Sequence, residues 1–402
     1  MANRTNHYKW YILFLVVMTN ILVMAMPMMG MSVLSEEISQ DLDLNLVQVG
    51  VVWGIGALPA IFSSLLAGVI GDKFGAKRVL VISSLLAGLA GAARGLTVDF
   101  LSLVVVVIFL GSLIPFVAMN GMKTVGQWFP AHQLGLANGF ISMGMALGFL
   151  LGSLLSATTF SPLLGGWRNV LIVYGIAGAF FAIPWAFTRT LTLPGHKPGE
   201  GLSMRTTMLH VLGLKNIWRL GFVLFGIGGC IQGILGYLPL YLRNIGWEAA
   251  QADGVLSAFH TISMVFVMPI ALWSDRLGSR KRLLLLTSVM IMLGAGLLSV
   301  ASGGWVWLSV LLAGCARDAF MAIFITMVIQ TNGVGPNHVG TALGLTLAMN
   351  GIGNFLAPPL GNSQAVLWPG APFLFWSILA CLGIVSLFLI KNPSDTIKIG
   401  KA

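Results

Sequence analysis

The sequence predicts an all-α integral membrane protein: twelve transmembrane helices in two pseudo-symmetric six-helix bundles. Three observations carry this: an apolar composition, twelve runs long enough to cross a bilayer, and a repeat on either side of a polar linker. Of 402 residues, 57% are hydrophobic and 8% charged, where a soluble domain carries about a quarter charged residues. The mean hydropathy of +0.92 shows that the apolar residues are continuous as well as numerous. A water-soluble fold could not hide that much apolar surface. The composition therefore disfavours a nucleic-acid binder, a secreted disulfide scaffold and a cytosolic enzyme. Cys230, Cys315 and Cys381 all lie in apolar runs, without disulfide or metal-ligand spacing.

A spanning helix needs about 20 mostly apolar residues. Runs of that kind occur at 10–33, 47–70, 79–96, 99–121, 136–158, 168–188, 217–242, 250–273, 283–301, 305–329, 339–360 and 368–390. The first follows Arg4 and Lys9 without a small-residue cleavage site, so it reads as a retained span rather than a secretory signal. An even number of spans puts both termini on one side. The net charge of +10 is informative through its placement. With the termini in the cytoplasm, most Lys and Arg fall in cytoplasmic segments, as the positive-inside effect requires. The opposite side keeps Arg168, Arg243 and the acidic stretch Glu36, Glu37, Asp41 and Asp43. The expected location is the inner (plasma) membrane, with the lipid bilayer as partner.

The longest polar stretch, 189–216, contains Pro194, Gly195, Pro198, Gly199 and Gly201, a linker composition. It separates an N-terminal bundle at 1–188 from a C-terminal bundle with a short tail at 217–402. The halves repeat. Asp72 and Gly75 after the second run recur as Asp275 and Gly278 after the eighth, at one common interval. Gly135, Gly139 and Gly148 recur as Gly340, Gly344 and Gly353 at an interval two residues longer. Two landmarks with nearly the same shift indicate an internal duplication.

The loop Gly68-Val-Ile-Gly-Asp72-Lys73-Phe-Gly75-Ala-Lys77-Arg78, repeated more weakly as Ala271-Leu-Trp-Ser-Asp275-Arg276-Leu-Gly278-Ser-Arg280-Lys281-Arg282, resembles the signature of the major facilitator superfamily. In the second copy Ala271 replaces the first glycine. The resemblance covers the whole chain. It implies a secondary transporter in which Asp72 and Arg78 latch helices on the cytoplasmic side in one state and release them in the other. Lys73 and Gly75, with Asp275, Arg276 and Gly278 in the second copy, belong to the same gating set. The loop chemistry agrees: a carboxylate favours a helix N-terminus or a guanidinium, and basic residues anchor at anionic headgroups. Those basic residues would equally serve topology alone.

Ionisable residues inside a membrane are functional candidates. Asp318 is the acid that lies well inside a run, and Arg317 precedes it. Neighbours on a helix diverge by roughly 100° and pair poorly, so one of the two is expected to be structural. His260 lies about ten residues into the eighth run, deep enough to relay protons or donate to an anion. A buried histidine satisfied by a carbonyl is the plainer reading. Asn20, Asn120, Gln232, Asn350 and Asn354 could bind solute through neutral hydrogen bonds, or simply join helices. Lys123 could snorkel to the interface. Yet Lys123 followed by Trp128-Phe129-Pro130 and Gly135-Leu-Ala-Asn-Gly139 resembles the anion-transporting branches, including cyanate-permease-like and organic-anion symporter groups. Arg94, Lys123 and Arg317 against Asp318 also favour a negative solute.

Gly139, Gly144, Gly148 and Gly152 in the fifth run allow close helix approach. Ser153 stands where the superfamily's antiporter signature has proline, which counts against a drug-exporting antiporter. Pro115 and Pro358-Pro359 would kink helices beside a cavity. Met18, Met24, Met26, Met28, Met29 and Met31, with His260 and Met264 four apart, offer soft ligands for Cu(I), although methionine is common apolar filler.

The expected function is alternating-access transport of a small, organic anion, in symport with protons. Arg317, His260, Lys123, Asn20, Gln232, Asn350 and Asn354 would contact the solute between the bundles, and Asp318 or His260 would carry the proton. The alternatives are a metabolite or drug exporter, a copper importer using His260 and Met264, and a non-transporting sensor. No cofactor is expected, no nucleotide motif is present, and the architecture can work as a monomer.

Overall fold

In a hydrocarbon environment every backbone N–H and C=O must be satisfied within its own segment, which selects helices. The computed structural model describes residues 2–130, 133–189, 204–277 and 280–390, and among them every regular element is helical. Twelve helices are long and apolar enough to cross a membrane: Tyr8–Val33, Leu46–Phe74, Ala76–Leu96, Phe100–Trp128, Leu134–Leu164, Trp167–Phe187, Lys215–Asn244, Ala249–Ile270, Arg280–Leu298, Gly304–Ile329, His338–Val366 and Ala371–Phe388. They are numbered as spans below. The expected fifth run stops short of its span because a π-helical stretch, Ser156–Phe160, carries the helix on to Ser161–Leu164. Part of the linker is helical too, at Met204–Leu212.

The helix starts are marked by local chemistry. Asn45 and Gln48 form a reciprocal capping box at the second span, and Asp99 and Ser102 do so at the fourth. The backbone N–H of Ser102, and then its hydroxyl, hold the Asp99 carboxyl below the usual carboxylate range.

The chain divides into two compact units, Met1–Gly195 with Leu238–His260, and His196–Tyr237 with Thr261–Ala402. In the first, small residues bring spans together. Gly88 and Gly175 lie where the third and sixth spans cross, and a Cβ on either would strike the backbone of Ala179 or Ala92. The fifth span lies on the first, with Gly148 against Ile21 and Ala25. The second unit repeats the device: Gly353 of the eleventh span lies on the backbone of Phe225 in the seventh. A polar contact recurs as well. Lys77 at the start of the third span donates to the carbonyl of Thr188 at 2.5 Å, after the sixth. Lys281 at the start of the ninth donates to Ile390, after the twelfth. These last carbonyls have no partner within their own helix, so each lysine closes one helix end. The duplication read from Gly148 and Gly353 is thus also a duplication of contacts.

Apolar side chains that do not pack inward, such as Phe62, Leu65, Leu66 and Val69 on the second span, are exposed, as a lipid-facing stripe requires. Gly175→Leu should destabilise the protein by about 1–3 kcal/mol, the usual cost of overpacking. The check is a lowered melting temperature of the purified protein, with a surface control such as Phe62→Leu unchanged.

Candidate functional site

The loop between the second and third spans turns at Gly75, whose φ of 87° suits glycine. Its acid, Asp72, is ion-paired with Lys123 of the fourth span. Asn120, one turn before Lys123, lies over Gly71 and donates to the carbonyls of Ala67 (3.3 Å) and Phe116 (2.9 Å). That crossing brings Lys123 onto Asp72. Arg78 is exposed and has no ion pair among the described residues, and Lys73 lies over the ring of Phe74 at 5.4 Å. In the second copy of the motif, Asp275 and Arg276 are in helical backbone, and Gly278 lies outside the described residues.

Asn20 is buried and opens a π-helical stretch, Asn20–Ala25, inside the first span. Such bulges often mark functional positions. Just before it, the hydroxyl of Thr19 accepts from Trp185 at 2.9 Å. His260 is buried in the same unit. Its Nε2 meets the sulfur of Met29 at 3.2 Å, and its ring lies 5.2 Å from that of Phe149. A thioether of the first span, that of Met29, thus lies on His260. One turn earlier, Ser257 and Ser153 are 2.9 Å apart.

In the second unit, Arg317 and Asp318 do approach each other, with Nε 3.7 Å from Oδ1. Arg317 is the more buried, at 14% exposed against 37%. The backbone N–H of Asp318 donates to Ser263 at 3.2 Å. Asn350 and Asn354, one turn apart on the eleventh span, face Gly228 of the seventh. Gln232 follows Gly228 by one turn. The Oδ1 atoms of both asparagines are buried without a hydrogen-bond partner.

The sequence reading missed a third group, built around the short helix Ser35–Asp41 that follows the first span. Two of its three acids hold the sixth span, and the third reaches the seventh. Asp41 pairs with Arg168 at 2.8 Å and accepts from the Trp167 indole at 3.1 Å. Glu37 accepts from Ser161 at 2.6 Å and from the Trp167 backbone N–H at 3.0 Å, capping the sixth span. Glu36 accepts from Arg243 at the end of the seventh span, at 3.3 Å. Arg243 also binds Asp253, 2.6 Å away near the start of the eighth span. Asp253 is wholly buried, so a second acid, near the start of the eighth span, stands beside Asp318 as an ionisable group within a span. The position of Asp253 inside the expected eighth run is the signal that could have found it. From sequence, Arg243 is placed only on the side opposite the termini. Arg94 is a further buried cation. It donates to the carbonyls of Gly91 (3.2 Å) and Pro27 (3.4 Å), and its Nη2 has no partner.

Residues 13–358 match the family model of the Major Facilitator Superfamily. Among curated relatives, the chain is 25% identical to the probable galactarate/D-glucarate transporter GudP of Bacillus subtilis over 46% of its own length and 42% of that protein. It is 26% identical to the probable sulfoacetate transporter SauU of Cupriavidus necator over 54% of its length and 53% of that protein. It is also 26% identical to the probable nitrate transporter NarT of Staphylococcus aureus, over 68% and 67%. The matches to the first two thus span about half the length of those relatives. Among solved structures, the nucleoside transporter NupG superposes with a TM-score of 0.74 at 15% identity, covering 97% of this chain and 99% of that one. The xylose transporter XylE from E. coli, in an inward-open conformation, gives 0.75 at 16% identity, covering 97% and 98%.

Glu37→Ala should remove the cap of the sixth span and cost about 1–2 kcal/mol. Glu37→Gln, which still accepts, should recover part of the loss. Thermal unfolding of the purified variants is the measurement.

Proposed function

Because the chain belongs to the Major Facilitator Superfamily, we propose that this multi-pass membrane transporter moves a small organic anion by alternating access, in symport with protons. The observation that carries the reading is the common charge of the solutes named for the relatives: galactarate or glucarate, sulfoacetate and nitrate. Arg317 fits the role of anion receptor. A guanidinium buried in a span is costly by itself, and a carboxylate can meet it through two parallel hydrogen bonds. Asn350, Asn354, Gln232 and Asn20 supply neutral groups for the rest of the solute. Asp318 and His260 are the assigned proton carriers. Asp72 is assigned to gating together with Lys123, its partner, and with Arg78. We place the termini in the cytoplasm and the chain in the plasma membrane, from the distribution of Lys and Arg. The six-span halves joined at 189–216 are the bodies that would alternate, within a monomer.

The test begins with a thermal-shift screen of the purified protein against glucarate, sulfoacetate and nitrate. Uptake into proteoliposomes follows, with and without a proton gradient. Arg317→Ala should lower uptake of the selected anion about tenfold or more, the scale of a lost charge-assisted hydrogen bond. Unchanged uptake of every transported solute sinks the anion assignment. Lipophilic cations in the same assay test an exporter, and copper accumulation in Met264→Ala tests a metal importer. Counterflow separates a carrier from a sensor.

A further inference from the structure

The outer cluster contains a charge imbalance that neither topology nor capping explains. Arg243 is 7% exposed and its Nη2 holds the Oδ1 of Asp253 at 2.6 Å. Its Nη1 reaches the other way, to the carbonyl of Val33 at 2.8 Å and to Glu36 at 3.3 Å. The Oδ2 of Asp253 and the Nε of Arg243 are buried without partners. The charged groups acting on Asp253 are Arg243, Glu36 and Glu37. On the neighbouring fifth span, Ser153 bonds to Ser257, one turn after Asp253. Arg168 is committed to Asp41. One guanidinium therefore faces two carboxylates at contact distance and a third close by.

Like charges crowded around one cation cannot all stay ionised at low cost, and such a site holds a proton. Burial decides where. Glu36 is 35% exposed and stays solvated, whereas the Asp253 side chain is fully shielded. The neutral acid is far cheaper to bury than the carboxylate. We infer that Asp253 is a proton-accepting group of the transport cycle, and that Arg243 transmits its charge state to Val33 and Glu36 at the end of the first span. The step is a simple proton transfer from hydronium to a carboxylate oxygen, releasing water. With the proton bound, Arg243 is balanced by Glu36 and holds the end of the first span. When the proton leaves, the Asp253 carboxylate draws Arg243 toward the eighth span and weakens that hold. Arg243 is thus a positioning residue. The inference rests on the proton-coupled reading above and adds a proton site distinct from Asp318 and His260.

Two readouts test it on the full chain. In proteoliposomes with glucarate and nitrate as probes, Asp253→Asn should lose accumulation driven by a proton gradient while keeping counterflow. Infrared difference spectra across a pH change should show a carboxyl C=O band in the wild type that is lost in Asp253→Asn. In Glu36→Gln the same band should titrate at lower pH, because removing a negative neighbour makes Asp253 easier to ionise. An Asp253 that stays ionised throughout, as a purely structural partner of Arg243, would give no such band. Gradient-driven accumulation by Asp253→Asn, survival of its carboxyl band, or an unmoved profile in Glu36→Gln each overturns the inference. If Asp253→Asn does not fold because Arg243 is left alone, the double variant Arg243→Gln with Asp253→Asn removes both charges, and accumulation by it is equally fatal. If the wild type moves neither probe, the choice of anion fails, and the infrared result alone decides the role of Asp253.

Discussion

Hydrocarbon leaves the backbone no water to bond with, and most features of this chain follow from that. Helices satisfy their interior groups but not their ends, and they gain nothing hydrophobic by touching one another in lipid. What holds them is close contact and the treatment of ends. Gly88, Gly175, Gly148 and Gly353 supply the contact by removing the side chain where two backbones meet. Glu37, Lys77 and Lys281 supply the ends, as an acid on the N–H groups at Trp167 and lysines on the final carbonyls at Thr188 and Ile390. The signs match the helix dipole, negative at a start and positive at a finish.

Charges in such a structure are sorted by whether they can reach water. The Asp72–Lys123 pair is partly exposed, with the aspartate side chain 73% accessible. A pair of that kind contributes at most about 1 kcal/mol, and it can open and close cheaply. Arg243 and Asp253 cannot reach water so easily, so their attraction is strong and the penalty for separating them is large. An easily broken pair suits a loop that changes partner, while a buried one suits a group whose charge is set by a proton. The two clusters differ in energy scale before any function is assigned to them.

The spans were legible because hydropathy is additive along a chain, and the repeat was legible because glycines and motif acids stand at fixed intervals. Pairing was less so. The pairing of Lys123 with Asp72 was not legible, because nothing in the sequence says that the fourth span crosses the second at Asn120 and Gly71. The π-helical stretches at Asn20–Ala25 and Ser156–Phe160 left no trace in composition, and the second carries the fifth span past the end of its apolar run. Asp253 was hidden by its position near the start of an expected span, where an acid could still have faced the interface. Its burial depends on Leu238–His260 packing with the first unit, a grouping that runs counter to the simple division at the linker. By contrast, Arg317 and Asp318 stand out in the sequence because they interrupt the middle of an apolar run.

The duplication governs scaffold and chemistry differently. The glycine contacts and the lysine-to-carbonyl closures occur in both halves of the sequence, since each half must solve the same packing problem. Asp253 and Arg317, charged groups inside spans, do not recur. The repeat interval relates Asp253 to Gln48, Val49 and Gly50 in the first half, and Arg317 to Ser112, Leu113 and Ile114. A site built twice would present the same charge from both halves, and two guanidiniums facing one small solute would repel each other without it. Arg317 has no cationic counterpart at those related positions. The acids of the first half, Glu36, Glu37 and Asp41, are gathered instead on one short helix after the first span. There they bind helix ends and Arg243 rather than lining a span. The repeat thus sets where helices touch, while Asp253 and Arg317 have no charged counterpart at the related positions.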